Sequence, residues 1–295
     1  MSKTSDWIRT KFLDTDLKRD AGLTRPDDVE RFDNILYGED QTWQLLDVYL
    51  PKNRSRDALP VIVSVHGGGW VYADKERYQF YCMDLARRGF AVVNFSYRLA
   101  PESKFPACLE DTNLVFRWVL EHAAEYAFDT DRVFAVGDSA GGHLLALYCA
   151  ICTNSAFASR FSFRTPNGFV PKAIALNCGV LRIKVSDQTE DQFTTDLMSD
   201  LLPNQGTEEE LVLVNSIPQI TEAFPPCFVM TAENDFLKHD AKAMADALMA
   251  HNVPFLFRYW KSPARKLGHV FHLDIRCPES TLCNDEQCAF FRQFC

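Results

Sequence analysis

The pentapeptide Gly137-Asp138-Ser139-Ala140-Gly141 stands between a short apolar run, 132–136, and a longer apolar stretch, 144–152, that reads as a buried helix. A serine presented at a strand-to-helix turn needs a bend so tight that only small flanking residues let the backbone pass. Such a turn requires a strand that ends in a core and a helix that begins at the same point. That requirement alone argues for layered α/β architecture over an all-helical or all-strand chain.

The remaining sequence repeats the pattern. Segments 32–37 and 43–50, separated by Gly38-Glu39-Asp40, predict an antiparallel hairpin at a sheet edge. Further buried strands are expected at 61–65, 90–95, 173–177, 227–231 and 255–259, and helices at 77–88 (closed by Gly89), 109–126, 240–251 and 286–294. The alternation predicts an α/β fold with a mostly parallel central sheet and helices on both faces. Two stretches break the rhythm: 1–30 is charged and weakly amphipathic, and 181–224 lies between two strands with little strand character. Both are expected to form small cap segments over a site. A chain of 295 residues and 33.6 kDa lies within the range of a large α/β fold built on one sheet, so a single domain over 1–295 is expected.

Charge and cysteine usage narrow the function. Thirty-one Lys and Arg against 40 Asp and Glu give a net charge of −9, which repels phosphate backbones and anionic lipid, so no nucleic-acid partner is expected. The N-terminus turns polar where a signal peptide needs an unbroken apolar region, and no run of about eighteen apolar residues occurs. The reading is a soluble, cytoplasmic protein with no membrane span. Among the ten cysteines, Cys277, Cys283, Cys288 and Cys295 are separated by five, four and six residues, which lacks the paired two-residue spacing of zinc sites. Cys149 and Cys152 form a C-x-x-C inside an apolar helix and read as packing residues. Free thiols and no metal are expected.

A second motif, His66-Gly67-Gly68-Gly69-Trp70, follows the expected strand 61–65 directly. Three successive glycines expose backbone amides without side-chain obstruction, which suits an oxyanion hole. Phosphate binding is the other use of glycine-rich loops, but neither G-x-G-x-x-G nor a Walker lysine is present. A nucleophilic serine needs a base, and the base an orienting carboxylate, in the chain order Ser, acid, His for this kind of sheet. Asp235 follows the strand 227–231, with Glu233 and Asp240 as rivals; His269 lies in Gly268-His269-Val270-Phe271-His272, with His272 as rival. His122 and His251 fall on expected helices, His143 follows the elbow too closely to reach back to Ser139, and His239 with Asp240 opens a helix. His66 is read as ordering the glycine loop.

Taken together, these residues resemble the α/β-hydrolase superfamily, and within it the hormone-sensitive-lipase-like esterases, over nearly everything from residue 44 to the end. His66-Gly-Gly-Gly-Trp70 matches the family's oxyanion motif, Tyr97-Arg-Leu-Ala-Pro-Glu102 its connecting segment, Gly137-Asp-Ser-Ala-Gly-Gly142 its elbow, and Asp235-x-Leu237-x-x-Asp240 its acid motif. The resemblance implies Ser139 as nucleophile, Asp235 as acid and His269 as base, with amides of Gly68, Gly69 and Ala140 in the oxyanion hole. It implies a small-molecule ester substrate, hydrolysis through an acyl-enzyme, and no cofactor; short acyl groups are expected because no long amphipathic lid stands out. Arylformamidases share the H-G-G-x-W motif and the triad and remain an alternative. A non-catalytic hydrolase-fold receptor would have lost the base that His269 supplies here, and a prolyl-oligopeptidase-like enzyme would need a propeller for which the chain has no room. The 65 residues before the oxyanion motif are few for the family and the 181–224 excursion is long, so substrate preference stays open. So does assembly, with a homodimer compatible with the sequence.

Overall fold

The computed structural model describes residues 1–54, 57–183 and 192–295. Among the described residues, eight strands form one sheet in the order β1-β2-β4-β3-β5-β6-β7-β8. They are β1 (Val29–Leu36), β2 (Leu45–Pro51), β3 (Leu59–Val65), β4 (Ala91–Phe95), β5 (Phe128–Asp138), β6 (Ile174–Asn177), β7 (Cys227–Ala232) and β8 (Phe255–Trp260). β1 and β2 pair antiparallel, and β2 joins β4 antiparallel; every other pairing is parallel. This is the mostly parallel sheet that the sequence predicts.

Burial explains the strand sequences. β4, β6 and β7 are buried at every position, and such strands, covered on both faces, read as continuous apolar runs. The edges are blunted instead: β1 carries Glu30, Arg31 and Asp33, and β8 exposes Arg258 and Tyr259. In register, Val65 pairs with Gly137 and Asp138 with Asn177, so the carboxyl ends of β3, β5 and β6 finish side by side. Functional loops of open α/β sheets gather at such an edge.

The helices are α1 (Lys3–Asp20), α2 (Lys75–Ala86), α3 (Ala107–Glu121), α4 (Ala123–Tyr126), α5 (Ala140–Thr153), α6 (Ser155–Ala158), α7 (Gln192–Leu201), α8 (Glu208–Val214), α9 (Lys238–Ala250) and α10 (Pro278–Arg292). Polar residues fix several starts. Asp74 caps α2 by accepting from the Arg77 amide at 3.0 Å, and Thr207 with Glu210 forms a reciprocal capping box on α8. Aromatic side chains seal the layers: Phe134 of β5 stacks on Phe291 of α10 at 4.9 Å, joining helix to sheet, and Phe116 of α3 stacks on Tyr148 of α5 at 4.4 Å, joining helix to helix.

Several boundaries differ from expectation. The helix expected over 109–126 divides at His122, whose ring bonds back to the Trp118 carbonyl and stacks on the indole, and Ala127 ends α4 in the left-handed region at φ 55°. α10 begins at Pro278, eight residues before the expected 286, with proline at a first-turn position where no amide is needed. Segment 1–30 holds α1 and the start of β1. In the excursion 181–224, α7, α8 and a 3-10 turn at Ile217–Gln219 are formed, while 184–191 lies outside the described residues.

Candidate active site

Ser139 sits where β5 meets α5, with φ 51° and ψ −120°, a conformation rare for a residue with a side chain. Neighbouring backbone holds it there: its amide donates to the Asn177 carbonyl at 3.1 Å, and its carbonyl accepts from Val180 at 3.0 Å. The close approach also accounts for Gly141, since a Cβ there would meet the carbonyl oxygens of Val65 and His66.

The glycine loop crosses directly in front of this turn. Gly68 has φ 113° and Gly69 φ 62°, both in the region that favours glycine, and a Cβ on Gly68 would collide with the Tyr72 carbonyl. A relay fixes the loop from behind: the Gly67 amide donates to Tyr78 Oη at 2.8 Å, and that hydroxyl donates to Asp138 Oδ2 at 2.8 Å. Burial pushes the Asp138 carboxyl up to about 7, against the pull of the Tyr78 bond. The amides of Gly68, Gly69 and Ala140 have no acceptor among the described residues. His66 does order the loop, with Nδ1 donating to the Gly67 carbonyl at 2.8 Å and its ring stacked on Tyr97 at 4.0 Å.

Asp235 and His269 come together from separate loops. His269 Nδ1 donates to Asp235 Oδ1 at 2.8 Å, while Asp235 Oδ2 accepts from Thr231 Oγ1 at 2.7 Å and Oδ1 from the Leu237 amide at 3.0 Å. Burial alone would raise the Asp235 carboxyl, yet these bonds hold it below the usual carboxylate range. The two loops are also joined by main chain, through a parallel bridge between Asn234 and Gly268 and a hydrogen bond that the Asn234 amide donates to the Leu267 carbonyl at 3.1 Å. The rival residues make no such pair. Glu233 faces Lys261 at 4.0 Å, Asp240 is paired with Arg182 at 3.0 Å, and His272 is fully buried with both ring nitrogens unpartnered.

One cavity of about 510 Å³ gathers the chemistry. Ser139, His269, Gly69 and Trp70 line it, with Ile8 and Phe12 of α1 and Leu197 and Met198 of α7 as an apolar wall. α1 is fastened to the loop edge: Arg9 donates to the Val71 and Ala100 carbonyls and grips Glu102 through both carboxylate oxygens, and Tyr72 donates to Asp16 at 2.9 Å. Sequence reasoning did not single out Ile8, Phe12, Tyr78 or the pairing of Arg182 with Asp240.

Among the described residues, Cys178, Asp235 and His269 form one group whose donor atoms lie within 4.8 Å of one another and could hold a metal ion. Two of the three are already committed to each other, and burial drives the Cys178 thiol far above its ordinary pKa, so the group fits a hydrogen-bonded pair with a thiol packed behind it. All ten cysteines are free. No helix among the described residues is long and apolar enough to cross a membrane.

Known proteins match this geometry. The BD-FAE family model matches residues 46–244. The carboxylesterase NlhH of Mycobacterium tuberculosis is 31% identical over 220 residues, covering 67% of this chain and 63% of NlhH, so the match spans less than two thirds of that relative's own length. The versiconal hemiacetal acetate esterase of Dothistroma septosporum is 26% identical over 77% of this chain and 71% of its own. Among solved structures, an inhibited esterase B from Lactobacillus rhamnosis superposes with a TM-score of 0.89 at 26% identity, covering 99% of this chain and 97% of the other. With more than half of its residues inside the family match and its eight-stranded sheet shared with esterase structures, the chain belongs to the BD-FAE family, within the hormone-sensitive-lipase-like α/β-hydrolases.

Proposed function

We propose that the protein is a serine carboxylic-ester hydrolase acting on small, short-chain acyl esters. One observation carries the reading: Ser139, strained at the elbow, opens into the same cavity as a His269 whose far nitrogen is bonded to a buried carboxylate at 2.8 Å.

In this mechanism His269 Nε2 takes the Ser139 proton as Oγ attacks the ester carbonyl carbon. Asp235 keeps the proton of His269 on Nδ1 and stabilises the imidazolium, and its lowered pKa keeps it ionised while the ring is charged. The amides of Gly68, Gly69 and Ala140 receive the oxyanion, each strong donor contributing about 3 kcal/mol to the transition state. The carbon–oxygen bond to the alcohol breaks as His269 returns its proton to the leaving oxygen. Water then attacks the acyl-enzyme by the same base and releases the acid.

The apolar wall of Ile8, Phe12, Leu197 and Met198 is read as the acyl side, capped by α1 and α7. The test is a rate profile over p-nitrophenyl acetate to octanoate with Ser139→Ala as blank. Activity greatest on short acyl chains and abolished in the variant is expected; a wild-type protein inert across the series would overturn the reading.

A further inference from the structure

Among the described residues, Arg182 is the one arginine or lysine on the cavity wall. Asp240, its partner on that wall, lies four residues beyond Phe236, whose ring is 4.4 Å from that of His269. A base that returns its proton to the leaving oxygen must stand beside the alcohol portion of the substrate. The side of the cavity that carries Arg182, Asp240 and Phe236 is therefore assigned to the alcohol, and the α1 and α7 residues to the acyl group.

The side chain is held in a defined pose. Asp240 Oδ1 accepts from Arg182 Nε at 3.1 Å and from Nη2 at 3.0 Å, and Asp240 Oδ2 accepts from the backbone amides of Leu181 and Arg182 at 3.3 and 3.2 Å. Nη2 also reaches the His239 carbonyl at 3.4 Å. Both carboxylate oxygens are thus used, and Nη1 has no partner among the described residues. The pair is neutral as a unit. A free carboxylate on a ligand would meet Asp240 as well as the guanidinium, whereas an uncharged oxygen would meet donors without that repulsion.

Resting on the esterase reading of the site, we propose that Arg182 is a specificity-determining residue: through Nη1 it binds an uncharged oxygen acceptor on the alcohol side. The substrate class is then esters of alcohols that carry a second neutral oxygen, a further ester carbonyl or a hydroxyl, in preference to plain alkyl esters or esters bearing a free acid.

The experiment compares kcat/KM on n-butyl butyrate, 2-hydroxyethyl butyrate, ethylene glycol dibutyrate and 3-(butyryloxy)propanoate, in wild type and Arg182→Met. The expected result is a preference for a neutral-oxygen ester over n-butyl butyrate of about tenfold, the size of one hydrogen bond to a charged donor, with most of the ratio erased in Arg182→Met. The dibutyrate and hydroxyethyl arms separate carbonyl from hydroxyl as the acceptor. A ratio unchanged in Arg182→Met, or the carboxylate ester as best substrate, would overturn the proposal. Should Arg182→Met lose all activity, the ratio is read in Arg182→Lys, which keeps the charge beside Asp240 but lacks the second guanidinium arm; an unchanged ratio there overturns it equally. Wild-type protein inert on all four esters would instead overturn the esterase reading.

Discussion

The indole N–H of Trp70 donates to Nδ1 of His143 at 3.1 Å. Because Nδ1 accepts, the proton of the ring is on Nε2, which donates to the Val214 carbonyl at 2.6 Å. One neutral imidazole therefore ties the glycine-loop edge to the end of α8 through the helix behind the elbow. His143→Ala would leave a buried indole N–H and a buried carbonyl unpaired and open a cavity. A destabilisation of about 2–5 kcal/mol is expected from the shift in urea midpoint, and a loss below about 0.5 kcal/mol would show the ring to be dispensable.

Burial lowers three histidines together: His66 and His143 to about 4, and His272 to about 3. For each, the unfolded ring, near 6.5, takes up a proton before the folded one does, so stability is lost as pH falls from 6.5 towards 4. Asp138 works the other way. Its folded value of about 7 lies above the unfolded 3.8, so over the same window the folded state holds an extra proton and gains on acidification. Three protons against one decide the sign. Thermal midpoints are expected to fall between pH 6.5 and 4.5, with a shallower fall in His272→Phe; midpoints rising on acidification would contradict this account.

Under the proposed mechanism, replacing Asp235 by Asn keeps the shape of the side chain but removes the charge that selects the His269 tautomer. A fall in kcat of about a thousandfold or more is expected, with KM changed far less, because the group acts on the reacting ring and not on bound substrate. A loss of tenfold or less, measured on p-nitrophenyl butyrate, would mean that another residue orients the base.

Ile8 is only 1% exposed yet belongs to a helix that the sequence presents as charged. Ile8→Ala enlarges the proposed acyl side and is expected to raise the octanoate-to-butyrate ratio of kcat/KM about threefold or more, while costing about 2–5 kcal/mol of stability. An unchanged ratio would place the acyl chain elsewhere.

The strands and the elbow were legible because their signals are local: β-branched runs for β3 to β7, and small residues around Ser139. α10 was misread at its start: the expected helix opened at 286, whereas the helix begins at Pro278 and already buries Ser280, Cys283 and Asn284. The role of α1 was hidden for another reason. Its contacts join residues far apart in sequence, as Arg9 does with Val71 and Glu102, and no periodicity within 1–30 encodes such a partner. The acid could be placed after β7, but the choice of Asp235 over Glu233 and Asp240 rested on resemblance. In the fold Asp235 is bonded to a ring nitrogen of His269 at 2.8 Å.

The main-chain bridge from Asn234 to Gly268 makes the loops that carry Asp235 and His269 neighbours by construction, whatever side chains they bear. Loss of reactivity and loss of shape are thereby separable in descent. A lineage that discarded the carboxylate or the imidazole would still inherit an intact, ligand-sized hollow beneath α1 and α7. Under the proposed mechanism such a chain would already be a binding protein, and the reverse substitution would restore a catalyst without rebuilding its frame.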